Sequence, residues 1–269
     1  MKTLTLYRGV ILLLLASMMT PVQISLAQNT TAPPPDPGIT IFQYRRVPND
    51  KIDEFIKRET TYWAEVANKA LAKGNLTFWG LFEKVGEVGL DQSSNFLFIN
   101  TYKNIDAINE VWSGGAAAFP NVPMDKMETY SMSTVTSNIF LRNEGWQEAA
   151  GVVPDKDFNY IRMVYHKGSS GSAMVAAENK HWGPFIKSVM DKKQTSQRGW
   201  GIARALSPLG PDMFNTVTFD LFPTLSEALN PTWDPKVVIP TAGIEEINKL
   251  ETGEREQVVY RLVKVVSPE

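Results

Sequence analysis

Two stretches decide the fold: NFLFINTYKNIDAIN (residues 95–109) and NTVTFDLFPTLSEAL (residues 215–229), one pattern written twice at an offset of 120. Each opens on Asn, runs seven residues of strand composition, breaks at a polar or Pro turn and continues at helical spacing. Around them the repetition extends in order. Glu59 and Trp63 of ETTYW return as Glu178 and Trp182 of ENKHW at an offset of 119, Trp79-Gly80 as Trp200-Gly201 at 121, and Arg142 of IFLRNE as Arg261 of VVYRLV at 119. Four matches in one order define two copies of one unit, residues 38–149 and 156–269, with 150–155 as the linker.

Each copy reads β-α-β-β-α-β. In the first, residues 39–47 form a strand, and Asn49 or Asp50 caps a helix that keeps Phe55, Ile56, Trp63, Ala67 and Leu71 on one face. Gly74 supplies its left-handed C-cap. Strands follow at 77–85 and 95–102, then helical segments at 105–112 and 124–133, then a strand at 136–146. The second copy places strands at 158–166, 200–206, 214–222 and 256–266, and Pro184 predicts a kink in its first helix. Several strands are apolar on both faces, as strands covered on both sides are. The expected fold is therefore α+β: tandem ferredoxin-like units whose sheets cover one another, an intramolecular pseudo-dimeric α/β barrel.

Composition excludes several functions. The 269 residues hold no Cys, which removes disulfides, thiol nucleophiles and Cys-ligated metals, and only two His, so no metal site is expected. Lys+Arg 27 against Asp+Glu 29 lacks the basic excess of a nucleic-acid binder. Residues 1–27 read as a signal peptide: Lys2 and Arg8, a short apolar run, then Ser25-Leu26-Ala27. The run is too short for a membrane span of ~20 residues. A Pro-rich linker, 28–37, follows. An exported chain without Cys points to the periplasm or secretion from a bacterium, with no membrane insertion after cleavage.

The Glu-x-x-x-Trp helices, the Trp-Gly strand openings and the late Asn-led strands resemble the dimeric α/β-barrel superfamily, in its exported bacterial tandem-repeat form, NIPSNAP-like or similar to antibiotic-biosynthesis monooxygenases. The resemblance covers nearly all of the mature chain and implies the barrel fold; its members' activities are diverse. Haem is the one cofactor it implies. The haem-degrading members carry a His on the second helix, and neither copy has one there, so no cofactor is expected.

His166, Arg162 and Tyr44 are the catalytic candidates, provided that they face a common pocket. Trp79, Trp200, Tyr62 and His181 are the ligand-binding candidates, the tryptophans as flat apolar walls. Against each stands a plain structural role: repeated tryptophans pack repeated cores, and His166 and His181 can be bonded boundary residues. The counterpart of His166 in the first copy reads as Val47. Glu59 and Glu178 sit at the core-facing edge of their helices, with Arg142 and Arg261 as natural partners; Arg45, Arg46, Arg162 and Arg204 lie in strands, where burial would demand an anion.

Walker A, G-x-G-x-x-G after a strand, H-E-x-x-H and G-x-S-x-G are all absent. The leading expectation is a small apolar or aromatic molecule bound in the barrel cavity. The alternatives are a cofactor-independent monooxygenase or isomerase, and a structural envelope protein whose barrel is filled by side chains. The expected partner is a small molecule, and the pseudo-dimer can pair again.

Overall fold

A computed structural model describes residues 38–86 and 93–268, all within one compact unit. The signal peptide and linker expected over 1–37 lie outside the described residues, as do residues 87–92. Eight strands follow the chain: β1 (Ile39–Arg46), β2 (Leu76–Lys84), β3 (Phe96–Tyr102), β4 (Thr134–Glu148), β5 (Tyr160–His166), β6 (Gly199–Ser207), β7 (Thr216–Phe222) and β8 (Glu256–Val266). They close into an antiparallel barrel in the order β1-β3-β2-β8-β5-β7-β6-β4. The first four strands thus run 4-1-3-2 and the last four 8-5-7-6, the same relative order. The seams are β2–β8, with Trp79 opposite Val266, and β4–β6, with Arg142 opposite Arg204. Closure leaves no unpaired sheet edge.

Strand alternation assigns the two faces. Phe42, Leu97, Ile139, Ile161, Met163, Tyr165, Val217 and Tyr260 pack in the barrel interior. Ile41, Trp79, Leu81, Phe96, Phe98 and Tyr102 point outward beneath helices. The repeated Trp-Gly pairs follow from this arrangement. Trp79 and Trp200, each 1% exposed, turn to the helices, so the next residue turns inward. A Cβ on Gly201 would stand 2.1 Å from Cε2 of Phe219, and one on Gly80 would stand 2.6 Å from Cε2 of Phe82. Glycine lets those rings lie across the inner wall.

Helix α1 comprises Ile52–Arg58, a π-helical turn at Glu59–Trp63 and Ala64–Ala72; its counterpart α3 comprises Gly171–Ala177, a π turn at Glu178–Trp182 and Gly183–Asp191. Between them lies α2 (Ile108–Ser113), and α4 (Leu225–Leu229) and α5 (Thr241–Asn248) precede β8. In both π turns the bond spans five residues, from the Ala64 amide to the Glu59 carbonyl and from Gly183 to Glu178. The irregularity expected from Pro184 therefore has another origin, since α1 makes the same turn with Glu65 in the corresponding place. Pro184 merely starts the segment that follows, where a missing N–H is tolerated. π turns of this kind cluster at functional sites.

Local capping is mixed. Gly74 has φ +73° and closes α1 as expected, its amide bonding the Leu71 carbonyl at 2.9 Å. Neither Asn49 nor Asp50 caps α1: the chain enters through a 3-10 turn, Asn49–Lys51, with no side-chain cap. Ser170 does cap α3, accepting from the Ala173 amide at 3.3 Å. The segment expected to be helical over 124–133 is a short helix, Met124–Met127, and a 3-10 turn, Tyr130–Met132, separated by extended backbone at Glu128. That segment closes over the first-half sheet.

Candidate functional site

Between the outer face of β1, β3 and β4 and the layer of α1, α2 and residues 127–130 lies a cavity of about 280 Å3. Its walls are mostly flat and apolar: Trp63, Trp79, Trp112, Phe98, Phe140 and Ile41. Trp63 and Trp112 meet edge to face at 6.2 Å. Each is anchored by its indole N–H, Trp63 to the Met127 carbonyl at 2.9 Å and Trp112 to the Tyr102 hydroxyl at 2.7 Å. Burial raises the pKa of Tyr102, so it stays a neutral phenol.

The polar groups of this cavity converge on one side. Arg45, 6% exposed, lies with its guanidinium 4.7 Å from the Phe98 ring centroid and 4.5 Å from that of Tyr130. Its Nε donates to Gln43 at 2.7 Å and its Nη1 to the Thr129 hydroxyl at 3.2 Å. Thr129 in turn donates to Glu59 Oε1 at 2.6 Å, and Arg45 Nη1 stands 3.7 Å from the same oxygen. Glu59 is 3% exposed. Burial pushes its carboxyl up to about 7, while Arg45 and the Thr129 hydrogen bond pull the other way. Asn100, on β3, is 7% exposed, and its buried Oδ1 has no hydrogen-bond partner. An apolar cavity with a few convergent polar groups, one perturbed carboxyl and one unsatisfied acceptor has the make-up of a small-molecule site.

The same place in the second half is filled by internal ion pairs. Asp220 corresponds to Asn100, and Arg162 on the adjacent strand binds it through Nε at 3.1 Å and Nη2 at 2.7 Å. Gln197 donates to the other Asp220 oxygen at 2.7 Å. His166 corresponds to Arg45 and not to Val47: the Asn95 amide bonds the Arg45 carbonyl and the Asn215 amide bonds the His166 carbonyl, both at 3.0 Å. The strand-to-helix connection is two residues shorter in the second half, so an offset taken from the helices misplaces the strand ends. His166 is buried, with Nδ1 2.6 Å from Glu251 and Nε2 2.9 Å from the Thr218 hydroxyl. Burial lowers its pKa, which favours the neutral ring. Glu178 is pushed up to about 7 by burial and has a buried, unpartnered Oε2.

The sequence-predicted candidates divide among several places. Tyr44 faces the barrel interior, its hydroxyl 3.0 Å from that of Tyr165, while Arg162 and His166 face the helices of the second half. These three share no pocket. Trp79 is a wall of the first-half cavity. Trp200 packs with Ile186 and Val175 under α3. Tyr62 meets Phe119 edge to face at 5.2 Å, and His181 Nε2 lies 2.6 Å from Glu246 on α5. The carboxylate partners also differ from expectation. Glu59 has Arg45, Arg261 pairs with Glu83 across the β2–β8 seam, and Arg142 Nε is buried without a partner. Trp63, one of the four repeated tryptophans that the sequence offers as flat apolar walls, does line this cavity, whereas Asn100, Thr129 and Trp112 carry no such signal. The one signal for Asn100 is its position in a matched stretch where the second half carries Asp220.

The cavity wall carries no histidine, and both ring nitrogens of His166 are engaged. The residues present here do not fit a haem iron.

No family model and no curated protein sequence matches the chain. Solved structures do. A candidate monooxygenase from Lactobacillus acidophilus NCFM is 15% identical, with 86% of this chain and 96% of that one covered at a TM-score of 0.56. An anthrone oxidase-like protein is 13% identical over 86% and 94% at 0.50. A mutant chlorite dismutase from Candidatus Nitrospira defluvii is 7% identical over 84% and 91% at 0.47. At these identities the likeness to the first two is one of fold: an α+β, ferredoxin-like barrel. Among the described residues no helix is long and apolar enough to cross a membrane.

Proposed function

We propose that this protein binds a small, flat aromatic molecule carrying a hydroxyl or N–H donor, in the cavity beneath α1 and α2. The unpaired Asn100 Oδ1, buried in a wall of indole and phenyl rings, carries this reading. A ring satisfies the apolar walls, and a donor satisfies the oxygen. Asp220 and Arg162 fill the corresponding place in the second half, so only the first copy keeps the site. The two copies are proposed to derive from one duplicated ferredoxin-like unit, on the support of the matched residues and the common strand order. The proposed export to the periplasm or exterior rests on residues 1–27. It is checked by N-terminal sequencing of the protein from a bacterial envelope fraction, where a start at Gln28 is expected and an intact Met1 would count against it.

Binding is tested by calorimetric titration with 1-naphthol and with naphthalene. The donor is expected to make naphthol about tenfold tighter, the effect of one net hydrogen bond to a buried acceptor. Asn100→Leu should erase the difference. Equal affinity for the two compounds in the wild type contradicts the proposed site.

Glu59 favours a second reading, in which the site performs chemistry. A carboxyl held near neutrality on the wall of an aromatic cavity suits proton abstraction. In a cofactor-independent oxygenation the substrate anion reacts with O2; for anthrone, one O2 is consumed and anthraquinone and one water are released. Anthrone-dependent oxygen uptake that disappears in Glu59→Gln supports this reading, and uptake unchanged in that variant rejects it.

A further inference from the structure

The barrel interior is not filled to its ends. Where β4 leaves the barrel, a cavity of about 490 Å3 opens among side chains from seven of the eight strands, on the inner face and so across the sheet from the Asn100 site. We propose that this barrel end is a second, independent binding site, for a neutral, ring-containing hydrophobic molecule. An eight-stranded barrel is just wide enough for its own side chains or one small ligand. Here β6 contributes only Gly201, Ala203 and Ala205 to the interior, and Phe219, whose ring lies across Gly201, is part of the cavity wall. Phe78, Ile99, Phe219 and Leu262 point inward yet are only half-buried, so apolar surface faces the cavity instead of other side chains.

The rim fixes the ligand class. Trp146, 47% exposed, stands 6.1 Å from Phe158 and 5.9 Å from Phe219, ring centroid to ring centroid, forming an aromatic collar. Glu148 is the one ionisable residue on the described wall, and its Oε2 accepts from the Trp146 indole at 3.2 Å. Among the described residues no Lys or Arg lines the cavity. An anion would be desolvated without a counter-charge and beside a carboxylate, so a neutral ligand is selected.

The test uses two fluorophores that share a scaffold: N-phenyl-1-naphthylamine, which is neutral, and 1-anilinonaphthalene-8-sulfonate, its anionic sulfonate. The full-length protein is expected to bind the neutral dye saturably and at least about tenfold more tightly, with energy transfer from tryptophan that Trp146→Phe reduces. Ile99→Trp fills the cavity and should abolish neutral-dye binding while circular dichroism and thermal unfolding stay close to wild type. If that variant does not fold, Val265→Trp tests the same space from β8. Equal binding of both dyes, no binding, or neutral-dye binding that survives in a folded filling variant overturns the proposal. Loss of naphthol binding at the Asn100 site with the barrel end intact would overturn the other site alone.

Discussion

Arg45→Ala is expected to destabilise the protein by about 3–5 kcal/mol at pH 8, the usual result of removing one partner of a buried ion pair. Glu59 would lose the Arg45 charge 3.7 Å from its oxygen, and Thr129 would lose the donor that orients it. The sign with pH follows from the raised carboxyl. Glu59 titrates near 7 in the folded chain, against 4.5 for a free side chain, so its proton favours the native state. Its contribution is fully present below about pH 4.5 and is lost as pH rises through about 7. Arg45 opposes that loss by stabilising the carboxylate, so its removal matters most above pH 7. At pH 5 Glu59 is neutral and the variant should recover a substantial part of the difference. Urea titrations of wild type, Arg45→Ala, Glu59→Gln and the double variant at both pH values measure this coupling. A cost that is the same at pH 5 and pH 8 would show that the pair contributes no charge-dependent stability.

Asn95→Ala is expected to cost about 3 kcal/mol, because it strips partners from two buried backbone groups at once. Asn95 Oδ1 accepts from the Val47 amide at 2.8 Å and its Nδ2 donates to the Val47 carbonyl at 2.9 Å. Asn215 makes the same clamp on Gly168, at 3.1 and 2.6 Å. This explains why Asn opens both copies of the motif: one residue must both donate and accept. Asn95→Asp keeps the acceptor and loses the donor, so it should fail nearly as badly. Because the clamp holds the end of β1 two residues beyond Arg45, naphthol binding should weaken in parallel. A loss below about 1 kcal/mol, or free replacement by Asp, would remove this reading of the repeat.

The matched residues were legible because each serves the same local need in both halves of the barrel. Trp79 and Trp200 pack under helices, Gly80 and Gly201 admit inner rings, and Asn95 and Asn215 clamp a strand end. The site was much less legible, because it resides in the places where the copies differ. Asn100 faces Asp220 in the alignment, Ile41 faces Arg162, and Arg45 faces His166. Asn100 and Ile41 leave an unpaired group and open space where Asp220 and Arg162 form an ion pair, and Arg45 turns to Glu59 where His166 turns to Glu251. Arg45 was visible as a strand arginine in need of an anion, and Glu59 as a repeated inward carboxylate. Their pairing was hidden because the strand-to-helix connection differs by two residues between the halves. Thr129, which bridges them, comes from a segment with no counterpart in the repeat. The inner and outer sheet faces could not be separated from strands that are apolar on both sides, and so Tyr44 was grouped with two residues on the opposite face.

A crystal of the full-length protein soaked with 1-naphthol tests the cavity assignment most directly. The ring is expected between Trp63, Trp112 and Phe98, with its hydroxyl within hydrogen-bond distance of Asn100 Oδ1. Naphthol found only at the Trp146 end of the barrel, or an empty Asn100 cavity at a concentration that saturates binding in solution, would contradict it.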